Sequence, residues 1–241
     1  MMSNVTANSI TLKGSANLLA DYFFYALNSI LYQRGIYPEA SFKQNTKYDI
    51  TVLTTTDETL LSYMHVVLGQ VRTWLSDGRV YRLALLIKEV KTEEVLERWQ
   101  FNLTTEDTDS SSPNGSKPLA NIQREIQNVI RQIVASNTFL PVIDTICTME
   151  LLVYADKDAD IPLQWEETGP QFIPDSEEIK LRSISTTLHR WNMGFINEVS
   201  VAVALFFMGR SRWSHAYTTF FTGANTSYAS LRIPALLNYL G

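Results

Sequence analysis

The feature that most constrains the fold is a switch, repeated along the chain, between two patterns of apolar residues. Apolar side chains spaced three or four positions apart predict helices, and runs that alternate or are rich in β-branched residues predict strands. The expected helices are Thr11–Arg34, Asp57–Leu75 and Pro118–Ser136. The expected strands are Tyr48–Thr54, Tyr81–Val90, Val95–Leu103 and Thr145–Tyr154. The order helix, strand, helix, hairpin, helix, strand predicts an α+β fold, with three helices packed on a mainly antiparallel sheet.

Composition limits the classes of partner. The chain has 241 residues, 45% of them hydrophobic, so it can bury a sizeable core. Its formal net charge of -5 argues against a strong, nonspecific attraction to nucleic acid. The longest apolar run, Val199–Met208, is about half of what a bilayer-spanning helix needs, and the first residues resemble neither a signal nor a transit peptide. We therefore expect neither nucleic acid nor a membrane as a partner.

The sequence offers little for catalysis. The common phosphate-binding, zinc-peptidase and nucleophile-elbow motifs are missing. One cysteine, Cys147, and three histidines exclude an internal disulfide and leave too few ligands for a structural zinc site. Cys147 lies in an apolar strand, which favours a buried, inert thiol, and the paired carboxylates Glu166-Glu167 and Glu177-Glu178 are expected to be solvated. We expect no enzyme activity, no metal and no cofactor.

Two segments interrupt the regular pattern. The first, Thr104–Lys117, is polar and is expected to form a flexible surface loop. The second begins near Ile161, where prolines recur although Trp165 and Phe172 are large apolar side chains that need cover. We expect this second segment to wrap around the domain, with a strand at Leu181–Leu188.

Six short runs, in order and at similar spacing, resemble the HORMA-domain family, in its mitotic spindle-checkpoint branch. They are Ile10–Ser15, Ser29–Pro38, Val95–Phe101, Val129–Ile133, Thr138–Pro141 and Trp165–Phe172. The resemblance covers residues 10 to about 192 and divides the chain into three parts. A flexible N-terminus spans residues 1–9, the HORMA domain spans 10–192 with a mobile C-terminal safety belt from about 156, and a divergent extension spans 193–241.

The resemblance implies a peptide clamp that switches between open and closed topologies. In the closed form, the belt crosses the sheet and traps an extended peptide of a partner. The implied site residues fall into three groups. Those of the peptide and belt site are Leu151, Leu152, Val153, Tyr154, Trp165 and Phe172; those of a dimerisation face between an open and a closed copy are Arg131, Gln132 and Phe139; and those of the core are Trp74 and Trp99.

The resemblance also implies a cellular role and partners. The role is that of a spindle assembly checkpoint adaptor, which captures the activator of the anaphase-promoting complex and so inhibits it. The other implied partners are mitotic arrest deficient one, a second copy of the chain, and an AAA-type remodelling ATPase with its adaptor. The implied locations are the nucleus, the cytoplasm, and the kinetochores and spindle in mitosis.

The chain departs from the family pattern at its end. Here 52 residues follow His189, and the resemblance fades after Asn192. The extension is either a genuine one that supplies a strand through Ile196–Phe207, the product of an alternative transcript, or read-through of an intron; we favour an alternative or mispredicted end. The alternative function is therefore a belt-defective docking protein, which dimerises through the Arg131 face without clamping a peptide.

Overall fold

The computed structural model describes residues 12–105, 117–169, 171, 173, 176–186, 189–198 and 228–233. Over these residues the chain forms three α-helices, a separate β-hairpin and one large sheet. The helices are α1 (Leu12–Gln33), α2 (Glu58–Ser76) and α3 (Leu119–Ser136). The strands are β1 (Phe42–Lys47), β2 (Ile50–Thr55), β3 (Val80–Glu89), β4 (Val95–Thr105), β5 (Cys147–Asp156), β6 (Glu166–Glu167), β7 (Ser176–Lys180), β8 (Ile184–Ser185), β9 (His189–Glu198) and β10 (Tyr228–Arg232).

The predicted helices are confirmed, with ends within about two residues of the expected ones. Helix α1 stops at Gly35, whose φ of 64° is the left-handed conformation that glycine adopts without strain. The Ile36 N–H donates to the Leu31 carbonyl across this turn, at 3.1 Å. Helix α2 starts where the Asp57 carboxylate accepts the Leu60 N–H at 2.9 Å.

The hairpin of β1 and β2 corrects the first strand prediction. Tyr48 and Asp49 are the two turn residues, with φ of 50° and 54°, so the strand begins at Ile50. Its partner β1 was missed, because after Phe42 it is polar and carries no apolar alternation.

The large sheet has the order β6-β10-β5-β3-β4-β9-β7, with β8 beside β9, and every pairing is antiparallel. The predicted α+β arrangement of three helices on an antiparallel sheet is therefore confirmed, as is the β3–β4 hairpin. Alternation along β4 places Trp99 and Phe101 in the main core under the helices. Arg98, the residue before Trp99, points to the opposite face, which we call the far face.

The helix-covered face also holds a buried ion pair. Arg34, just after α1, contacts Glu97 on β4 at 2.6 Å, and both side chains are about 4% exposed. Arg34 also donates to Asn137 and to the Pro141 carbonyl, and the Trp99 indole N–H donates to Glu97. The pair thus ties α1 and β4 to the turn after α3.

Two predictions near the C-terminus are only partly met. Of the run Leu181–Leu188, the structure gives a strand to Ile184–Ser185 alone, and residues 187 and 188 lie outside the described residues. Strand β9 includes Ile196 and ends at Glu198, while the rest of Ile196–Phe207, where a genuine extension would supply a strand, also lies outside them. Within the described residues, no helix has both the length and the apolar character that crossing a bilayer requires.

Candidate functional site: the edge of strand β5

Strand β5 is central to the site because its outer edge receives a strand from far along the chain. On one side it pairs with β3, and on the other with β10. Of the predicted receiving residues, Leu151 and Val153 are buried in the main core, and Leu152 is fully buried on the far face. The partly buried Tyr154 packs against the far-face cluster that contains Leu152. Val153 faces Leu231 of β10 across the pairing.

Side chains also hold β10 in place, in addition to its backbone pairing. Leu231 is fully buried in the main core, on the same face as Val153. On the far face, Arg232 donates to Glu150 at 2.8 Å and to Glu166 at 2.7 Å. The hydrogen bond to Glu150 is the main reason that the pKa of Arg232 is raised. Glu166 was expected to be a solvated charge, but it is paired with Arg232 although it stays partly exposed.

The described residues of 157–186 form a segment that we call the strap, and part of it lies on the other side of β10. Within the strap, β6 pairs with β10, so that Leu231 faces Glu167. One residue later, the Thr168 N–H donates to the Ser230 carbonyl at 2.9 Å. Strand β10 is therefore enclosed between β5 and the strap, with hydrogen bonds on both sides.

From β6 the strap reaches the opposite edge of the sheet. Eight residues lie between Glu167 and Ser176, the first residue of β7, so nine steps along the chain join them. Six strand spacings lie between these edges, or about 29 Å, and nine extended residues span about 30 Å. The connection therefore has little slack.

A buried arginine holds the strap over the far face. Arg98 on β4 donates to the Gln171 carbonyl at 2.8 Å, and to the Tyr154 hydroxyl at 2.9 Å. Burial lowers the pKa of Arg98, while the neighbouring Tyr154 opposes this effect. Since Arg98 is only 4% exposed, the strap shields this charge from water.

Two tryptophans anchor the start of the strap. Trp165 is buried, and its ring packs edge to face on Trp74 of α2, with centroids 5.0 Å apart. The Trp74 indole N–H donates to the Asp160 carbonyl at 3.0 Å. Trp74, which was predicted as a core residue, is buried, and it also contacts the strap. Phe172, predicted for the same site, lies outside the described residues.

The far end of the strap rests on α3. The Gln132 side chain accepts the Arg182 N–H at 2.9 Å, and Glu125 accepts the Ser185 N–H at 3.1 Å. Ser15 of α1 shares a hydrogen bond of 2.7 Å with Thr186. These are single polar bonds to the strap backbone and hydroxyl groups, each of modest strength.

The three residues predicted for a dimerisation face have different environments. Arg131 is exposed on α3, whereas Gln132 contacts the strap. Phe139 is partly buried, with its ring 6.1 Å from that of Phe195 on β9. Trp99, the second predicted core residue, also packs on the Phe195 ring, with centroids 4.8 Å apart. The dimerisation face itself stays a prediction.

The chemistry of the site is recognition of a strand. Cys147 is buried, and burial raises the pKa of its thiol, which disfavours the reactive thiolate. Among the described residues, no group of three or more histidine, cysteine or acidic side chains could hold a metal ion. What the site offers is backbone pairing, an apolar socket and a carboxylate pair for a cation.

Sequence reasoning missed the strand at β10 and the roles of Arg98 and Glu150. Two signals could have pointed to these residues. Glu150 is a charged residue inside the apolar run of β5, and Arg98 alternates with the apolar residues of β4, so each is a charge in a strand that requires a partner when buried. The run Tyr228–Ile233 is a short strand-like segment that ends before a proline.

Comparisons with known proteins agree with this geometry. The sequence model of the HORMA domain matches residues 15–197. The Mitotic spindle assembly checkpoint protein MAD2A of Homo sapiens is 48% identical over 185 residues, which are 76% of this chain and 90% of that protein. The protein of the same name from Dictyostelium discoideum is 46% identical over 182 residues, with the same two shares.

A solved structure is similar over the same region. In the Crystal Structure of Mitotic Checkpoint Complex, one chain matches with a TM-score of 0.71 and 38% identity, over 77% of this chain and 99% of that one. Sequence and structure therefore lead to one conclusion: the chain belongs to the HORMA domain family, among the MAD2 spindle assembly checkpoint proteins.

Proposed function

We propose that the chain is a checkpoint adaptor, not an enzyme, that traps a peptide of a partner as a strand on the edge of β5. The strap then acts as a safety belt over that strand. By capturing the activator of the anaphase-promoting complex in this way, the chain would inhibit it and delay anaphase. The single observation that carries the proposal is that a strand on β5 lies between that edge and the strap.

The physical basis is strand addition to a sheet edge. An added strand gains main-chain hydrogen bonds with β5, which give affinity for almost any sequence. Side chains that alternate between the core and the far face then select the peptide. Because β6 pairs on the outer side, the peptide leaves only after the strap has moved, so release is slow.

The nature of the strap contacts supports a switch between open and closed topologies. Strap residues are held by one aromatic pair, by Arg98, by single hydrogen bonds to α3 and by pairing of β7 and β8 with β9. Trp165 and Ile184 reach the main core, but most of that core lies in the helices and in β3, β4 and β5, so the strap can open at a smaller cost than global unfolding. The remodelling ATPase with its adaptor is the proposed agent of reopening.

The proposed partners follow from the family. They are mitotic arrest deficient one, the activator of the anaphase-promoting complex, and a second copy of the chain that binds through the Arg131 face. The related crystal structure of a mitotic checkpoint complex supports a role in such assemblies. The proposed locations are the nucleus and cytoplasm, with kinetochores and spindle in mitosis.

The test measures how fast the full chain releases a fluorescent peptide carrying the binding segment of the activator. We expect slow release, and release at least about tenfold faster from the Trp165→Ala variant, which loses the anchor against Trp74. Leu163→Ala is the matched control, because Leu163 lies two residues away and is fully exposed. Its release rate should equal that of the unaltered chain.

The opposite result would favour the alternative function. If all three chains release the peptide equally fast, the strap does not clamp it, and docking through the exposed Arg131 without clamping becomes the better account. Failure of the full chain to bind the peptide at any concentration would rule out clamping of this ligand altogether.

A further inference from the structure

We infer that Tyr63 of α2 is a positioning residue for the strand bound on β5: its hydroxyl fixes where that strand ends, and with this its register. The inference rests on the proposed function of the β5 edge and deepens it, because the register decides which residue of a peptide meets which part of the site. One hydrogen bond carries the inference. The Tyr63 hydroxyl accepts the backbone N–H of Leu151, at 3.2 Å.

The Leu151 N–H belongs to the edge of β5 that receives a strand. The backbone groups of successive residues in a strand point alternately to its two neighbours. Near the start of β5, the Val90 N–H after β3 donates to the Ile146 carbonyl at 2.9 Å. At its end, the Asp156 N–H donates to the Arg79 carbonyl before β3, at 2.8 Å. Even-numbered residues of β5 therefore point to β3, and odd-numbered ones point to the receiving edge.

Strand β10 stops one residue short of this N–H. Its pairing with β5 ends at Arg232, opposite Leu152. In the same register Ile233 would lie opposite Leu151, and its carbonyl would accept the Leu151 N–H. In the structure Ile233 belongs to no strand. The Tyr63 hydroxyl takes the N–H that a longer strand would use.

Burial keeps the Tyr63 hydroxyl in place and neutral. The side chain is 8% exposed and packs in the main core. Burial is the largest cause that raises the pKa of Tyr63, while the hydrogen bond from Leu151 opposes the rise. The hydroxyl therefore stays protonated at neutral pH, and an oxygen of this kind accepts an N–H as a carbonyl does.

The helix that carries Tyr63 also contacts the strap. Tyr63 and Trp74 are three helical turns apart on α2, so they lie on the same face, about 16 Å from each other. Trp74 packs on Trp165 and donates to the Asp160 carbonyl. One rigid element therefore contacts both the receiving edge and the start of the strap, which gives the hydroxyl a fixed position along β5.

A fixed end is needed because alternation alone does not determine the register. A slip of one residue would turn Leu231 out of the main core, so burial excludes it. A slip of two residues keeps every side chain on its face, so burial allows it. If β10 slips by two residues past Leu152, Leu231 faces Leu151 and its carbonyl needs the Leu151 N–H. Since Tyr63 holds that N–H, the hydroxyl opposes this slip.

The ion pair on the far face does not provide the same control. Arg232 donates to Glu150 at 2.8 Å although its backbone lies opposite Leu152. After a slip of two residues, Arg232 would lie directly opposite Glu150, where the pair could still form. The pair therefore requires a cation near this end of the strand without deciding between the two registers.

The experiment determines the register in the isotope-labelled full chain from nuclear Overhauser contacts between α-protons. Such contacts are strong for residues that face each other without exchanging hydrogen bonds, as Leu152 and Arg232 do. We expect this contact alone in the unaltered chain. In Tyr63→Phe, which loses one oxygen atom, the Leu151 N–H has no acceptor unless the strand slips. We therefore expect a contact between Leu152 and Ser230 that is at least about fivefold stronger than in the unaltered chain.

The matched control is Tyr37→Phe. Tyr37 is partly buried against the same core and loses the same atom, but among the described residues it has no hydrogen bond to β5. We expect it to keep the Leu152–Arg232 contact alone. The inference is overturned if Tyr63→Phe also shows that contact alone, or if both variants slip equally. Loss of every contact to Leu152 in Tyr63→Phe would overturn it too, because Tyr63 would then hold the strand as a whole and not its register.

A second arm extends the measurement to a partner's strand. The probe is a labelled peptide carrying the binding segment of the activator, bound to the same three chains. We expect one set of peptide contacts to Leu152 in the unaltered chain and in Tyr37→Phe, and a second set, two residues along the peptide, in Tyr63→Phe. A single set in all three would overturn the inference for partners. Failure of the unaltered chain to bind the peptide would contradict the proposed function, whereas the contacts within the chain would still test Tyr63.

Discussion

The two faces of the large sheet are buried by different means. Under the helices, a continuous apolar core extends from α1 to β5, and it includes Trp99 and Phe101. On the far face, the fully buried apolar cluster has three members among the described residues, Ala84, Leu86 and Leu152. Around that cluster lie Arg98 and Glu150, whose bonds reach the strap and β10.

Because of this difference, we expect the helix-covered face to stay folded and the strap to open reversibly. Apolar packing under the helices is nondirectional and spread over many side chains, so the helices and β3, β4 and β5 cannot separate without large loss of stability. The strap contributes Trp165 and Ile184 to this core, and it is otherwise held by directional bonds and by pairing of β7 and β8 with β9. It can therefore open at a smaller cost than the helix-covered face.

The largest effect is expected on the helix-covered face. Glu97→Ala leaves the Arg34 guanidinium buried without its carboxylate, and we expect the free energy of unfolding to fall by about 3–5 kcal/mol. Urea denaturation of the full chain measures this change. Glu94→Ala, at an exposed turn position, should change it by less than about 0.5 kcal/mol. A loss below about 1 kcal/mol for Glu97→Ala would mean that the pair is not a structural bond of the core.

The next largest effect concerns the far face. Arg98→Met removes the charged hydrogen bond to Gln171, which is worth about 1.5–3 kcal/mol, so amide exchange in the strap should speed up about tenfold or more. The helix-covered face should keep its exchange rates. Arg72→Met is the control, because it removes an equal charge at an exposed position of α2. Equal acceleration in both variants would show that the effect is not specific to the strap.

A smaller effect is expected at α3. Gln132→Ala removes one neutral hydrogen bond to the Arg182 N–H, worth about 1 kcal/mol, so exchange near Arg182 should rise about fivefold. Gln123→Ala on the same helix has no bond to the strap among the described residues and should leave that rate unchanged. Equal exchange rates near Arg182 in the two variants would show that Gln132 does not hold the strap.

The smallest effect on stability is expected at Arg131. Since Arg131 is exposed, Arg131→Glu should change the free energy of unfolding by less than about 0.5 kcal/mol. If the proposed dimerisation face is correct, the same variant weakens self-association at least about tenfold in analytical ultracentrifugation. Unchanged self-association would show that Arg131 does not lie on the dimerisation face.

Sequence reasoning was strongest where burial repeats with a fixed period. The helices and β3, β4 and β5 have one or two buried faces, so their apolar spacing is visible in the sequence. After Phe42, strand β1 is polar, and its pairing with β2 is determined by the turn at Tyr48 and Asp49. Nothing in its own residues distinguishes it from a loop.

The part that sequence reasoning missed depends on contacts between distant residues. That Tyr228–Arg232 pairs with β5 follows from the free edge of β5 and from Glu150, which are about 80 residues away. Similarly, Gln132 reads as an exposed helix residue, and only the folded strap gives it the Arg182 N–H. A single sequence shows periodicity but not which remote segment completes a sheet edge.

The central claim is that the strand on β5 leaves only when the strap opens, and a reversible lock tests it most directly. Asn102 on β4 and Asn192 on β9 are paired across the sheet, at a spacing that suits a disulfide, and the native Cys147 is buried. In the Asn102→Cys, Asn192→Cys double variant, hydrogen exchange of amides 229–232 is measured before and after oxidation. The account predicts exchange at least about tenfold slower in the oxidised chain, because β9 can no longer leave β4. Equal rates in the two states would contradict it.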